Sequence, residues 1–478
     1  MVFVGYAAAL AYGILCLLLS LLTYKLGVDK RLTRKIVHIL VGAEWFILYH
    51  TVGIGIHFVA VCIVFTILLY IVHRFNAMPM ISSDGDNAPG TVYYGVSMTI
   101  MAIVSCFVDG YAYAFGIAVL CTSLGDGFAG AVGGSVKRFN PKIFGSKTVF
   151  GVVSAFVVSF VSTLLFSKGY SLDVSALECL LVAVLVCGVE LICVRGLDNI
   201  AIPLSASLLY YAFMYFDDIY LYILPIMLTP FIICAVLSKR LLTVGGVVCA
   251  VIIDVAVSIS LGNFGFVLIL SFLLLSVCAD KAKGKAKKKT NGPDEEGKRD
   301  HVQVFANGFI PSLLALLYLL TNSYVFIIGY SAALAECLAD TFASGIGAFS
   351  KTAYDPFRMK KVENGLSGGM SVIGTFTALV SPFVFLLISV GFGAIYWNGF
   401  IICGASAFIG TVIDSMLGSL VQAKYKCKKC GLIIEKEYHC LEKADLISGT
   451  SYVDNNTVNL ISCFASAMIA MIVTVILA

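Results

Sequence analysis

The chain has 478 residues, of which 60% are hydrophobic and 13% are charged, and its mean hydropathy is +0.97. A soluble globular protein is about 45–50% apolar and about 25% charged, so this composition excludes soluble and secreted proteins and predicts an all-α polytopic membrane protein. The net charge of +4 is too small to indicate a nucleic-acid partner. The 16 cysteines lie mostly in apolar segments, where buried thiols need no disulfide.

Apolar segments follow one another along the chain and predict about sixteen transmembrane helices, at roughly 20 residues each. The first segment has neither a basic start nor a small-residue cleavage site, so we expect it to be retained as a helix. The predicted helices cover residues 2–24, 36–52, 54–73, 92–108, 111–134, 148–166, 175–195, 200–215, 219–238, 241–260, 265–280, 301–320, 323–349, 366–390, 393–420 and 457–477. This assignment puts the basic loops on one side, which the positive-inside rule predicts to be cytoplasmic.

The most strongly charged segment is residues 281–300. Its mixture of lysines, acids, Gly and Pro predicts a solvated cytoplasmic linker near anionic lipid. We expect two membrane domains, residues 1–238 and 239–478, and the linker lies inside the second domain.

The two expected domains contain matching residues at a constant separation. Five residues of the first domain recur 214 positions later (340 − 126): Asp126 and Asp340, Ala129 and Ala343, Gly133 and Gly347, Lys147 and Lys361, Gly151 and Gly365. Asp and Lys are scarce in this chain, so their joint recurrence favours an internal duplication. Two looser matches pair Arg34, His38 and Gly42 with Arg299, Gln303 and Asn307, and Asp198–Asn199 with Asp414–Ser415.

Asp126 and Asp340 each precede a basic loop, and small residues follow each of them at helical spacing. Gly125, Ala129 and Gly133 alone would indicate helix packing. A carboxylate in a membrane helix, however, costs about 2.5–3.5 kcal/mol at the bilayer centre and therefore indicates function. Carboxylates are ligands for Mg²⁺ and lysines bind phosphates, so the pattern predicts a site for a magnesium-bound nucleoside triphosphate.

Several motifs of the first domain are similar to those of a known family. They are Arg34–His38, Gly90–Tyr94, Leu124–Ala129, Gly145–Thr148, and Glu190 with Gly196–Asn199. On these motifs residues 1–235 resemble the dolichol kinase and phytol kinase family, which is related to CDP-diacylglycerol synthases. The resemblance implies phosphorylation of a long-chain isoprenoid alcohol, typically with CTP.

The second domain carries a different set of motifs. They are Gln303–Asn307, Ala339–Ser344, Gly365–Gly369, Asp414–Gly418 with Gln422, and Asn455–Asn459. On these motifs the domain resembles the integral-membrane family that includes phytyl-phosphate kinase. Gly345 stands where that family usually has an acid, so an identical metal shell is not implied.

Together the resemblances imply a bifunctional isoprenoid salvage kinase. Such an enzyme converts phytol, farnesol, geranylgeraniol or a polyprenol to its monophosphate and then to its diphosphate, using CTP or another nucleoside triphosphate with Mg²⁺. The implied partners are the isoprenoid lipid, the nucleotide and membrane lipids. The implied catalytic residues are Asp126, Asp340, His38, Lys147 and Lys361, with Asp126 and Asp340 also binding Mg²⁺. The implied nucleotide-binding residues are Arg34, Lys35, Gly125, Ala129, Gly133, Gly151, Asp198, Asn199, Gln303, Asn307, Gly347, Gly365, Gly368, Asp414 and Ser415.

The two phosphorylation steps make different demands on a general base. An alcohol must lose a proton as it attacks, whereas a phosphate monoester, with a second pKa near 6, is already anionic. His38 in the first domain aligns loosely with Gln303 in the second, which matches this difference. Alternatively, His38 binds a phosphate or a neighbouring helix, and Asp198 or Glu190 removes the proton.

Cys427, Cys430, His439 and Cys440 lie in a polar segment, residues 424–445, before the last predicted helix. Four soft ligands at this spacing predict a small knuckle with a structural zinc ion. Because His439 and Cys440 are adjacent, either one alone could be the fourth ligand. The alternative is a group of reduced surface cysteines.

Other functions remain open at this point. One is a single-activity lipid kinase, or a CDP-lipid cytidylyltransferase, with one inactive half. Another is a membrane transporter built from repeats. The sequence does not identify the lipid, the nucleotide base, the membrane or the oligomeric state.

Overall fold

The computed structural model describes residues 2–75, 90–136, 139–193, 196–238, 241–289, 298–350, 352–362, 368–435, 437–440 and 442–477. These residues form two compact units that divide between residues 238 and 239. Each unit has its own apolar core, with Tyr210 fully buried in the first and Tyr330 in the second.

The first unit consists mainly of helices. These are α1 (Val2–Lys25), α2 (Lys30–Val41), α3 (Glu44–Thr51), α4 (Ile56–Arg74), α5 (Gly90–Phe107), α6 (Tyr111–Leu120), α7 (Gly127–Ser135), α8 (Val149–Gly169), α9 (Ala176–Ile192), α10 (Asp198–Tyr215) and α11 (Ile223–Ser238). A π-helical segment, Cys121–Asp126, joins α6 to α7, and a 3₁₀ segment, Asp217–Tyr222, leads into α11. The short strands β1 (Lys142–Phe144) and β2 (Lys147–Thr148) form an antiparallel hairpin before α8.

The second unit contains α12 (Val244–Lys289), α13 (His301–Thr321), α14 (Tyr324–Gly347), α15 (Val372–Gly391), α16 (Trp397–Leu420) and α17 (Asn455–Leu477). Strands β3 (Ala353–Asp355) and β4 (Lys360–Val362) pair between α14 and α15. The insert between α16 and α17 contains β5 (Lys424–Lys426), β6 (Ile433–Ile434), β7 (Tyr438–His439), β8 (Glu442–Lys443) and β9 (Asp445–Ser448). In this insert β5 lies between β6 and β9, and β7 pairs with β8.

Among the described residues, twelve helical segments are long and apolar enough to cross a membrane. This confirms the prediction of an all-α polytopic membrane protein, although we expected about sixteen spans at roughly 20 residues each. Every expected segment contains a helix, but residues 36–52 break into α2 and α3, α9 has only 17 residues, and α10 begins with polar Asp198 and Asn199. Residues 241–260 and 265–280 are joined in α12, where Gly262 (φ 57°) interrupts the helical geometry.

The two units share an order of helix packing. In the first unit α5, α8 and α10 contact the central helix formed by α6, the π-helical segment and α7, while α4 packs on α5 and α9 packs on α8 and α10. In the second unit α13, α15 and α17 contact α14, while α12 packs on α13 and α16 packs on α15 and α17. Thus α4 to α10 of the first unit correspond in order to α12 to α17 of the second, with α6 and α7 together matching α14.

Candidate active site

Asp126 lies in a buried charged cluster of the first unit. The residue is 4% exposed, and both of its carboxylate oxygens accept hydrogen bonds of 2.8 Å from Lys35 Nζ. Nε2 of His38 lies 3.4 Å from Asp126 Oδ2 and 3.1 Å from the carbonyl oxygen of Thr122. Lys35 and His38 are three positions apart on α2, so one helix face brings both side chains to Asp126.

The π-helical segment Cys121–Asp126 positions this cluster. Such segments are rare and are frequent at functional sites, since their wider turns change the direction of side chains and the pairing of backbone groups. Here the Thr122 carbonyl, inside the segment, meets His38. Tyr94 of α5 packs its ring against the edge of His38 and lies 3.3 Å from Ser123 Oγ through its hydroxyl. This segment was not predicted from the sequence, and α14 has no counterpart to it over Tyr324–Gly347.

Lys147 forms a second ion-pair group next to the first. Its ammonium donates to Glu190 and lies 3.4 Å from Asp198 Oδ2. Burial alone would lower the pKa of Lys147, but the carboxylates of Glu190 and Asp198 outweigh it and hold that pKa above its usual value. Asn199 hydrogen-bonds Asp198 Oδ1 at 3.0 Å and so orients the second carboxylate.

The small residues near Asp126 allow α7 and α8 to pack closely. A Cβ at Gly133 would come within 2.9 Å of Thr148 Oγ1, and one at Gly151 would come within 3.0 Å of the carbonyl oxygen of Ala129. Gly125 faces Ser159 of α8. These contacts give Gly125, Ala129, Gly133 and Gly151 a packing role, which brings Lys147 at the start of α8 towards Asp126.

A cavity of about 1710 Å³ opens over the charged cluster. Its polar wall is formed by Arg34, Lys35, His38, Asp126, Lys147, Glu190, Asp198 and Asn199. The remaining wall is mostly apolar and comes from α1 and α4, including Leu10, Ile14, Leu17, Val64, Phe65 and Leu68. Leu10, Val64 and Leu68 are more than half exposed, so the apolar part of the cavity is open rather than enclosed. An ordinary ligand pocket is about 300–1,000 Å³, so this cavity has room for a nucleotide and a lipid together.

Three carboxylates of the cavity fit a divalent cation. One oxygen each of Asp126, Glu190 and Asp198 lies within 4.8 Å of the others. Within the described residues, Oε2 of Glu190 is buried and has no hydrogen-bond partner. Hard carboxylate oxygens are the ligands that Mg²⁺ prefers, so this donor set suits the expected magnesium ion, with Glu190 as a ligand that the sequence analysis had not assigned to the metal.

The second unit has an acidic cluster on the corresponding helices. Asp340 of α14 and Asp414 of α16 lie within electrostatic range of each other and of Glu336, one helical turn before Asp340. Glu336 is 1% exposed, and its Oε1 has no hydrogen-bond partner among the described residues. Ser462 Oγ donates to Asp414 Oδ2 at 3.3 Å. The loose alignment had paired Asp414 with Asp198. Because α16 corresponds to α9, Asp414 matches Glu190 by position instead.

The structural match between the units does not keep the constant spacing. A Cβ at Gly347 would come within 3.1 Å of Ser371 Oγ and 3.4 Å of Gly374 Cα. This repeats the contacts of Gly133 with Thr148 and Gly151, so Gly374 and not Gly365 is the counterpart of Gly151. The separation there is 223 residues (374 − 151 and 371 − 148). The segment from Gly347 to Gly374 is therefore nine residues longer than the segment from Gly133 to Gly151 (223 − 214).

This longer loop separates Lys361 from the position of Lys147. Lys147 directly precedes the helix cap Thr148, and Met370 holds the same place before the cap Ser371. Lys361 lies instead on β4, paired with Tyr354, and is exposed. Gly365 lies outside the described residues. Gly368 has φ +85° and faces the backbone of Ser419, and Ser415 is partly buried on α16.

The alignment of His38 with Gln303 is not supported by the fold. Arg34 and His38 are on α2, whereas Gln303 and Asn307 are on α13, which corresponds to α5. Gln303 is exposed in the first turn of α13, with its backbone N–H donating to Asp300. Asn307 does lie near the acidic cluster, because its side chain accepts a hydrogen bond of 3.4 Å from Asn459 on α17.

Outside both clusters, the structure brings the predicted knuckle residues together. One ligand atom each of Cys427, Cys430, His439 and Cys440 lies within 4.8 Å of the others. They belong to the insert between α16 and α17 and share no residue with the acidic cluster.

Two further acids of the cavity and the acidic cluster, one partly buried and one buried, were not predicted from the sequence. Glu44 lines the cavity at the start of α3, and Glu336 belongs to the acidic cluster of the second unit. Both stand in predicted apolar helices, residues 36–52 and 323–349. The rule that singled out Asp126, that an acid in a membrane helix indicates function, applies equally to them and would have found both.

These features define a polytopic membrane protein with a buried charged site in each of two units. A family model described as "Integral membrane protein DUF92" matches residues 227–467, just over half of the chain. The chain therefore belongs to this integral membrane family.

Several known proteins are similar in sequence to this chain. A phytol kinase of Synechocystis is 28% identical over 193 residues, covering 38% of this chain and 79% of the relative. Protein VTE6, chloroplastic, of Arabidopsis thaliana is 26% identical over 201 residues, covering 40% of this chain and 60% of the relative. An uncharacterized membrane protein of Methanocaldococcus jannaschii is 32% identical over 162 residues, covering 33% of this chain and 65% of the relative. For the last two, the chain spans less than two thirds of the relative's length. No solved structure matches the chain.

Proposed function

We propose that this protein is an isoprenoid kinase whose first unit phosphorylates a long-chain isoprenoid alcohol and whose second unit phosphorylates the resulting monophosphate. The observation that carries the proposal is the cavity of the first unit, where a wall of charged groups continues into an open apolar groove. A lipid alcohol has the same two parts, a polar end that reacts and a long apolar chain. The relative named phytol kinase supports the same substrate class.

His38 and Asp126 are arranged to remove the proton of the alcohol. A carbonyl oxygen only accepts hydrogen bonds, so the contact with the Thr122 carbonyl requires that His38 Nε2 carries the hydrogen. The neutral imidazole then has Nδ1 free of hydrogen, and Nδ1 is the atom that accepts the proton of the attacking hydroxyl. The Asp126 carboxylate, 3.4 Å from Nε2, stabilises the imidazolium that forms.

Arg34, Lys35 and Lys147 supply positive charge along the polar wall for the phosphates of the donor. Asp126, Glu190 and Asp198 would hold Mg²⁺, which neutralises charge on the transferred phosphoryl group when it is bound. We expect CTP to be the preferred donor, because the dolichol and phytol kinase family that the first unit resembles typically uses it. The nucleotide sites and the basic loops are expected on the cytoplasmic side.

In the second unit the substrate is already an anion, so no general base is needed. Glu336, Asp340 and Asp414 are the residues that would hold the magnesium ion of the second nucleotide, and Glu336 Oε1 offers a buried oxygen without a partner. Ser462 of α17 donates a hydrogen bond to Asp414 of α16, and Asn459 of α17 donates one to Asn307 of α13. These bonds position the surrounding helices around the acids.

The purified protein in lipid nanodiscs tests this proposal. It is incubated with Mg²⁺, phytol or geranylgeraniol, and CTP labelled on either the α or the γ phosphate, with γ-labelled ATP as a parallel donor. We expect γ-label in the lipid monophosphate and then in the diphosphate, with no α-label in lipid. Transfer of α-label to lipid would instead identify a cytidylyltransferase, and absence of any labelled lipid would contradict the kinase proposal.

A further inference from the structure

The insert between α16 and α17 holds a group of soft ligands that the proposed kinase chemistry does not use. Cys427 is buried, while Cys430 and Cys440 are exposed and His439 is partly exposed. The insert is polar and contains only short strands, so its few apolar side chains give it a very small core, chiefly Ala423, Tyr425 and Ala444. An element of this size needs another source of stability.

The segment Cys427–Cys430 forms a tight turn that is suited to a metal. Gly431 N donates to the carbonyl of Cys427 at 3.0 Å, and Cys427 N donates to the carbonyl of Leu432 at 2.9 Å. Gly431 has φ +75°, which a residue with a side chain adopts only with strain. These backbone bonds close the turn and bring Cys427 and Cys430 close together.

Adjacent ligands are unusual, because neighbouring side chains on a strand point to opposite faces. Cys440 has φ +50°, a left-handed conformation that is uncommon outside glycine. This turn brings both side chains to the same point. Nδ1 of His439 lies 3.2 Å from Cys440 Sγ and 3.4 Å from Cys430 Sγ. The backbone therefore settles which of the two residues reaches the cluster: both do.

We propose that Cys427, Cys430, His439 and Cys440 bind one zinc ion in a closed tetrahedral site. Zinc bonds of about 2.3 Å to sulfur and about 2.0–2.1 Å to nitrogen place sulfur and nitrogen ligands roughly 3.5 Å apart in a tetrahedron, which is close to the separations observed here. Binding releases the three thiol protons, and His439 coordinates through Nδ1. Four protein ligands leave no position for a substrate, so the zinc is structural.

The site would join the two hairpins of the insert. Cys427 and Cys430 are in the turn between β5 and β6, while His439 and Cys440 are at the end of β7. β5 in turn carries Lys424, which is buried near Asp355 of β3. Asp355 accepts a hydrogen bond of 2.6 Å from Ser419 at the end of α16. Zinc binding would therefore hold together an insert whose strand β5 lies beside the loop between α14 and α15.

The purified full-length protein, without a metal-binding tag, is analysed for metals by mass spectrometry. We expect about one zinc per chain, and less than a tenth of that in the double variant Cys427→Ser/Cys430→Ser. The matched control is Cys106→Ser/Cys278→Ser, which changes two exposed cysteines elsewhere and should keep its zinc. Replacing zinc with Co²⁺ should give the visible absorption bands of a tetrahedral cobalt–thiolate site in the wild type and control only.

The readouts do not depend on kinase activity, so their failure is separate from a failure of the proposed function. Zinc absent from the untreated protein, iron in its place, or equal zinc in the wild type and the double variant would each overturn the proposal. If the double variant does not fold, the cobalt spectrum of the wild type still decides, because three thiolate ligands give intense charge-transfer bands and a nonspecific site does not.

Discussion

The imidazole of His38 lies 3.4 Å from the carboxylate of Asp126, although the two residues are on different helices and 88 positions apart (126 − 38). Both are largely withdrawn from solvent, with side-chain exposures of 17% and 5%. The same carboxylate binds Lys35. Asp126 therefore connects the proposed general base, His38, with Lys35, which we propose to bind phosphate.

Replacement of His38 tests the assignment of the base. We expect His38→Gln to slow alcohol phosphorylation by roughly 10²–10⁴-fold, as is typical for loss of general base catalysis. The loss should be smaller for a fluorinated, more acidic alcohol, and phosphorylation of the monophosphate should be unchanged. His50→Gln is the matched control, since His50 is exposed and bonded to Tyr170. Normal turnover of the alcohol by His38→Gln would mean that another group, such as Glu190 or Glu44, removes the proton.

Replacement of Lys147 tests the second ion-pair group. Lys147→Met leaves the buried Glu190 and the partly buried Asp198 without their cation. We expect this to destabilise the protein by about 3–5 kcal/mol and to abolish alcohol phosphorylation. Adding Glu190→Gln should restore stability but not activity. Thermal unfolding in detergent and turnover are the two measurements, with the exposed Lys168→Met as control.

The pH dependence of that loss follows from the sign of the pKa shift. The folded protein holds the pKa of Lys147 above its ordinary value near 10.4, so its contribution to stability is fully present below that value and is lost only at higher pH. Once Glu190 is replaced, so that it cannot titrate, the stability difference between Glu190→Gln and Lys147→Met/Glu190→Gln should therefore be constant from pH 6 to 9. A difference that fell across this range would show that another group dominates the pair.

Filling the apolar groove tests the position of the lipid chain. Gly13 of α1 lines the cavity, and a Cβ there would meet no atom within 4 Å, so Gly13→Leu should fold normally. We expect KM for a 20-carbon alcohol to rise roughly tenfold or more, with a smaller effect on a 10-carbon alcohol. Gly169→Leu, on α8 and equally free of contacts, is the control. Equal effects on both alcohols, or none, would place the chain elsewhere.

Much of the fold followed from hydropathy, because helices that cross a membrane must be long and apolar. The charged cluster was also predictable in part, since Asp126, Lys147 and Asp198 stood out as ionisable residues next to small ones. Residues that pair across helices were harder to find. The Lys35–Asp126 pair depends on the crossing of α2 and the π-helical segment, and no local sequence signal marks that crossing.

The constant spacing of the repeat led to a wrong prediction at the loop before α15. Equal spacing predicted Lys361 as the partner of Lys147, but the loop is longer and puts Lys361 on an exposed hairpin strand. Loops tolerate insertions that helix contacts do not, so spacing is kept within helices and lost between them. We now expect Lys361→Ala to change the second activity by no more than about twofold, as for an ordinary surface substitution. Loss of that activity in the Lys361→Ala variant would show that Lys361 belongs to the site of the second unit.

The most direct test of two sites in one chain is the pair of variants Asp126→Asn and Asp340→Asn, assayed side by side with labelled nucleotide triphosphate. Each protein is given the isoprenoid alcohol and, separately, its monophosphate, and both lipid products are quantified. We expect Asp126→Asn to lose only alcohol phosphorylation and Asp340→Asn to lose only monophosphate phosphorylation. If either folded variant loses both activities, or if neither loses one, the assignment of one phosphorylation to each unit is contradicted.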